Sequence, residues 1–168
     1  MSAVATAPPD GRARHVVRRL PAPWTVHLWG APRVAADAFR YTGGVLYRSE
    51  VGGGTAVELL TDGTLNVWCR CAPPVVHLRA SGTRALVPDT GHGAATALVE
   101  PGDLAVVASC HLLQEAPAAM AAVTGLLGER IGDGVTDEVV AAIDALLADT
   151  RSAEPSLAVI VNDPSRPG

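Results

Sequence analysis

Thr61-Asp62-Gly63-Thr64-Leu65-Asn66-Val67, then Cys71-Ala72-Pro73-Pro74-Val75-Val76-His77-Leu78-Arg79, then Val99-Glu100-Pro101-Gly102-Asp103-Leu104 running on to Ser109, is the stretch that decides the fold. Each piece joins a turn signal to a short apolar run. Asp62-Gly63 predicts a two-residue hairpin, because type I′ turns need positive φ at both central positions. Ser81-Gly82 and Pro101-Gly102-Asp103 predict further turns. Outward from this stretch the same pattern of apolar runs bounded by Gly and Pro predicts strands near residues 24–29, 44–48, 55–60, 65–70, 75–79, 97–99, 104–109 and 157–162.

Beyond Ser109 the apolar period becomes helical. One helix is predicted from near Pro117, a residue suited to a first turn, with Met120, Val123 and Leu127 on one stripe. A second follows Thr136 as N-cap, with Asp137 and Glu138 at the positive end of the helix dipole and Val139, Val140, Ile143, Leu146 and Leu147 on one face. Strands, two one-sided helices and a last strand predict an α+β layered domain.

The chain has 168 residues, 48% of them hydrophobic, enough to bury a core without a disulfide or metal staple. Residues 1–20, rich in Ala, Pro and Arg and without periodicity, are expected to be a disordered leader. Residues 21–163 are expected to form a single domain and residues 164–168 a tail. Net charge is −4, with six Arg against two acids over residues 1–40 and nine acids against two Arg over residues 115–163. That distribution argues against nucleic acid as a partner. All 13 basic residues are Arg, which excludes lysine Schiff-base chemistry and a phosphate-loop lysine. With the Ala, Gly, Val and Pro enrichment it points to a high-GC bacterial source of the actinobacterial kind. Three cysteines, no apolar signal segment and no run of ~20 apolar residues predict a cytoplasmic protein with no membrane span.

The quoted pieces, in their order, resemble the second half of a metal-dependent PPM-type phosphatase domain, and within it the stage II sporulation protein E branch. There a turn and strand precede Gly-His-Pro-Pro-Pro, a Pro-Gly-Asp turn and an apolar strand ending Thr-Asp-Gly. The resemblance spans about residues 24–162 with a large central deletion and is specific over residues 61–114 and the last strand. It implies a reduced PPM-phosphatase-like β-sandwich, α+β, with two C-terminal helices on a sheet and the central helical layer largely deleted.

The resemblance also implies a centre in which carboxylates hold two Mg²⁺ or Mn²⁺ ions that activate a water against a phosphoryl ester. Four places supply the ligands in the family. Val34-Ala35-Ala36-Asp37-Ala38-Phe39 is similar to the first and keeps Asp37. The second, Asp-x-x-Gly-His-Gly with its long helical pair, has only residues 40–54 to occupy. Asp89-Thr90-Gly91-His92-Gly93 is similar to it, but one residue short and out of order, and reads as a Gly-rich connection. The third ends Ser109-Cys110-His111, placing Cys110 at the metal-binding Asp. The fourth, an Asp-Asp pair, falls on Pro155-Ser156.

A site that needs several convergent carboxylates cannot be built from Asp37 alone. The leading reading is therefore a degenerate PPM-type domain acting as a non-catalytic regulatory or protein-binding module in bacterial partner-switching signalling, with a protein partner and no cofactor. One alternative is a repurposed enzyme in which Cys110 is nucleophile and His111 its base, acting on a small metabolite; neighbours on a strand point oppositely, so this needs the strand to end there. A second is a residual Mn²⁺- or Mg²⁺-dependent serine/threonine phosphatase using Asp37 and Asp89. Cys69 and Cys71, read as sharing one strand face, would with Cys110 and His111 give zinc-type donors, although Cys-x-Cys is a poor match to zinc spacing.

Overall fold

The computed structural model describes residues 3–6, 14–30, 39–50, 53–86, 92–109, 112, 116–148 and 156–166. The strands are β1 (Ala3–Thr6), β2 (Arg14–Arg19), β3 (Trp24–Gly30), β4 (Arg40–Thr42), β5 (Val45–Glu50), β6 (Gly53–Leu59), β7 (Thr64–Arg70), β8 (Val76–Arg79), β9 (Gly82–Ala85), β10 (His92–Leu98), β11 (Leu104–Ala108) and β12 (Ser156–Asn162). The helices are α1 (Pro117–Glu129) and α2 (Asp137–Ala148). A seven-stranded sheet runs β1-β2-β3-β12-β11-β8-β9, and a five-stranded sheet runs β10-β7-β6-β5-β4. This is the expected α+β sandwich with two C-terminal helices on a sheet.

Alternation sorts side chains into two cores. Val26 and Leu28 of β3, Val57 of β6, Leu65 and Val67 of β7, and Ile160 of β12 fill the space between the sheets. The opposite set, Trp29, Leu104, Val106, Leu157, Val159 and Val161, packs under Met120, Val123 and Leu127 of α1 and Val139, Ile143 and Leu147 of α2. β12 lies between both cores, so all its residues are buried and its alternation disappears. No described helix covers the outer face of the small sheet, in keeping with a deleted helical layer, and none of the described helices is long and apolar enough to cross a membrane.

Four differences from the sequence expectations have physical causes. The leader expected over residues 1–20 contains β1 and β2, because His15 and Val17 oppose Trp29 and His27 on one side of the sheet while Val16 joins the inter-sheet core. Its alternation is masked in composition by Arg and Pro. The Asp62-Gly63 turn is not type I′: only Gly63 has positive φ, 90°, and Leu60 and Thr64 close a three-residue loop, the type I plus bulge geometry. Asp62 Oδ1 accepts from Thr64 N at 2.9 Å and fixes it. Cys69 and Cys71 do not share a face, since β7 ends at Arg70 and Cys71 turns away at φ 48°. Gly-His-Gly at 91–93 is not all connection either: His92 and Gly93 open β10 by pairing with Arg70 and Cys69.

Gly63 needs its missing Cβ, which would meet Val99 O at 2.9 Å. Its own carbonyl accepts from Val99 N at 2.9 Å, Asn162 Nδ2 donates to Val99 O at 2.6 Å, and Trp24 Nε1 donates to Leu60 O at 2.8 Å. The two sheets are thereby stitched at one end. The other end carries the candidate site.

Candidate functional site

At that other end β5 places Leu46 and Arg48 on its inward face, because side chains two apart in a strand share a side. Arg48 is 7% exposed. Its Nε donates to Ser156 Oγ at 2.6 Å across the gap between the sheets, and its Nη1 donates to Ser49 O at 3.3 Å. Ser156 begins β12 and is itself tied to Ser109, which follows β11: Ser156 N donates to Ser109 Oγ at 3.2 Å and Ser109 N to Ser156 O at 2.9 Å. Thr55, opposite Arg48 on β6, and Cys69, opposite Thr55 on β7, complete the inner wall. Cys69 Sγ lies 4.0 Å from Thr55 Oγ1 and 3.7 Å from Pro73 O, the setting of a packed thiol.

Guanidinium stays charged at any pH a protein survives, so this end of the sandwich holds a buried cationic side chain whose described neighbours include the hydroxyls of Ser156 and Thr55. A guanidinium supplies no ligand to a hard divalent cation, which takes several oxygen ligands. Among the described residues no group of three or more His, Cys, Asp or Glu side chains is placed to hold a metal ion.

Asp37, Asp89, Cys110 and His111 all lie outside the described residues. Their neighbours are placed: Phe39 is buried in the inter-sheet core, His92 opens β10, and Ser109 follows β11. Of the zinc-type donors, Cys69 is buried while Cys71 is exposed, with its Sγ 3.7 Å from a His92 ring nitrogen. Those two cysteines therefore do not offer a common site. Arg48 escaped the sequence reading, yet its signal was present: in Val45-Leu46-Tyr47-Arg48 the arginine falls on the apolar register, where an inward charge must find a partner.

Two further histidine groups lie outside this cluster. His15, His27 and Trp29 stack on the helix-facing side of the large sheet, with His15 Nε2 and His27 Nδ1 3.0 Å apart. Burial, and then the adjacent His15, push the His27 pKa down to about 4 against the pull of Asp163. His77, 2% exposed, approaches Asp103 with its Nε2 at 3.5 Å without the alignment of a hydrogen bond. Burial lowers its pKa despite that carboxylate. Asp103 serves the Pro101-Gly102 turn, its amide donating to Glu100 O at 2.9 Å.

No family model and no curated protein sequence matches the chain. Solved structures do. The RsbU and RsbW domains of a Mycobacterium tuberculosis protein align over 95% of this chain and 59% of that one, with a TM-score of 0.53 and 14% identity. RsbX in complex with magnesium aligns over 94% of this chain and 98% of its own, with a TM-score of 0.52 and 8% identity. A serine/threonine phosphatase of S. agalactiae aligns over 95% and 98%, with a TM-score of 0.50 and 10% identity. The chain has the fold of PPM-type phosphatase domains.

Proposed function

We propose that this chain is a PPM-type phosphatase fold acting as a non-catalytic, protein-binding regulatory module in bacterial partner-switching signalling, in the cytoplasm and without a metal cofactor. The observation that carries this reading is Arg48, buried between the sheets and bound to Ser156 at the end where the family resemblance implies carboxylates and two metal ions. RsbX, which shares this fold, is complexed with magnesium. The Arg48–Ser156 hydrogen bond ties the two sheets together at this end through side chains, without a metal ion in that contact. The partner-switching role is what the family resemblance implies, and the RsbU and RsbX structures share this fold.

The test is calorimetric titration of the purified chain with Mn²⁺ and Mg²⁺, run beside hydrolysis of an aryl phosphate. The expected result is no two-site binding and no metal-stimulated turnover. Mn²⁺-dependent hydrolysis that is abolished by Asp37→Ala would overturn the reading in favour of a residual phosphatase. Metal-independent turnover lost on alkylation of Cys110 would overturn it in favour of the thiol enzyme.

A further inference from the structure

The outer face of the small sheet combines exposure with an interface-like composition. Trp68 is 47% exposed and Tyr47 41%, whereas Trp24 and Trp29 are each 1% exposed. Register places Arg40, Tyr47, Ala56, Trp68 and Ala94 in one row across β4, β5, β6, β7 and β10. Between the two aromatics lies a depression of about 510 Å³, lined by Tyr47, Gly54, Ala56, Trp68, Arg70 and Ala94. Trp, Tyr and Arg are the residue types that dominate the energetics of protein interfaces.

We propose that this face is a docking surface for an acidic amphipathic helix of a protein partner, seated between Tyr47 and Trp68. The inference rests on the protein-binding reading above and gives that reading a surface and a ligand chemistry.

Width selects a helix. Adjacent strands lie ~4.8 Å apart, so Tyr47 on β5 and Trp68 on β7 stand roughly 10 Å apart with β6 between them. That is close to the ~10–12 Å breadth of an α-helix with its side chains. Gly54 and Ala56 on β6 leave the floor low enough for an inserted leucine or phenylalanine. An added strand would find no partner on this face, because β5, β6 and β7 already exchange their backbone hydrogen bonds within the sheet.

Charge selects an acidic helix. Arg40 ends the aromatic row, and Arg70 lies two residues along β7 from Trp68, opposite Gly54 and His92. Both are exposed, and neither makes an ion pair among the described residues. Glu58 is the acid whose side chain is described on this face, and its Oε1 already accepts from Asn66 Nδ2 at 2.7 Å while Asn66 Oδ1 accepts from Thr96 at 2.7 Å. The open electrostatic demand is therefore for carboxylates, from residues flanking an apolar stripe.

A displayed library of helical peptides, with a fixed leucine stripe and randomised flanks, is selected against the full chain. Enriched peptides are expected to carry Asp and Glu in the flanks, to shield Trp68 from acrylamide quenching, and to bind Trp68→Ala at least about tenfold more weakly. The double variant Arg40→Glu/Arg70→Glu is expected to reverse the preference to Lys and Arg flanks. Enrichment without charge bias, or binders that keep their affinity for Trp68→Ala, would overturn the surface. So would concentration-dependent self-association lost in Trp68→Ala, which would make a second copy the occupant. Metal-stimulated turnover in the same preparation would defeat the non-catalytic reading and leave this surface to be judged by the peptides. An inert preparation that selects no acidic helix would overturn the surface alone.

Discussion

The two sheets of this sandwich are built from similar strands but end at different surfaces. The large sheet's outer face lies under α1 and α2, and its central strand β12 reads Ser-Leu-Ala-Val-Ile-Val-Asn with every position buried. The small sheet's β7 reads Thr-Leu-Asn-Val-Trp-Cys-Arg, alternating between a buried side and an open one. A helix layer is thus recorded in the strand beneath it: two-sided cover removes the period-2 pattern, and one-sided cover preserves it. Trp68, Tyr47 and Leu98 depart from it as large apolar residues on the open register, and Trp68 and Tyr47 are the two that a binding role explains.

The sharpest way to break this contrast is to delete a side chain from the covered face. Ile143 of α2 is 0% exposed and packed on the large sheet. Ile143→Ala is expected to destabilise by about 2–5 kcal/mol, through lost burial plus the cavity left behind. Urea melts that match those of the wild type would mean that α2 contributes nothing to the core.

The next effect is a pH dependence on the same side. The folded-state pKa of His27 lies near 4, below its ordinary 6.5, so protonation favours the unfolded chain. The stability it governs is fully present above pH 6.5 and is lost as pH falls through 4. The size is about 3 kcal/mol at most. His15 is also lowered by burial, against a raising influence from Asp144, and acts in the same direction. Melting midpoints measured down this range should fall more steeply for the wild type than for His27→Gln. Parallel profiles would remove the buried stack from the account.

The smallest effect belongs to the bare face. Trp68→Ala is expected to cost under about 1 kcal/mol, because the side chain loses cross-strand contact with Ala56 and Ala94 rather than core packing. A loss as large as that of Ile143→Ala would show that the small sheet depends on Trp68 for its own stability. That outcome would erase the difference between the two faces.

Much of this architecture was legible locally. Pro117 opens α1, and Thr136 caps α2 with its Oγ1 accepting from Val139 N at 3.4 Å, because capping depends on residues within one turn. Runs such as Leu65-Asn66-Val67 and Leu157 to Val161 announced strands because apolar periodicity is a property of neighbouring residues. Even the pieces that resemble a PPM-type domain are contiguous segments, and each carries its own turn. β2 was hidden because Arg14, Arg18 and Arg19 dominate its composition, and only pairing with β3 reveals the alternation. β4 and β9 were too short to show a period.

What the sequence determined by itself is most of the elements, their order and the one-sidedness of both helices. Tertiary structure decided which of those elements meet. Ser156 and Arg48 are 108 positions apart, and nothing local to either predicts a 2.6 Å hydrogen bond between them. The same holds for the bare sheet: Tyr47 and Trp68 read as ordinary strand residues until the registers of β5, β6 and β7 bring them to either side of Ala56. Local sequence fixes backbone preference and side-chain alternation, whereas a site is a long-range coincidence of faces, and only the closed sandwich, with its two registers set, brings those faces together.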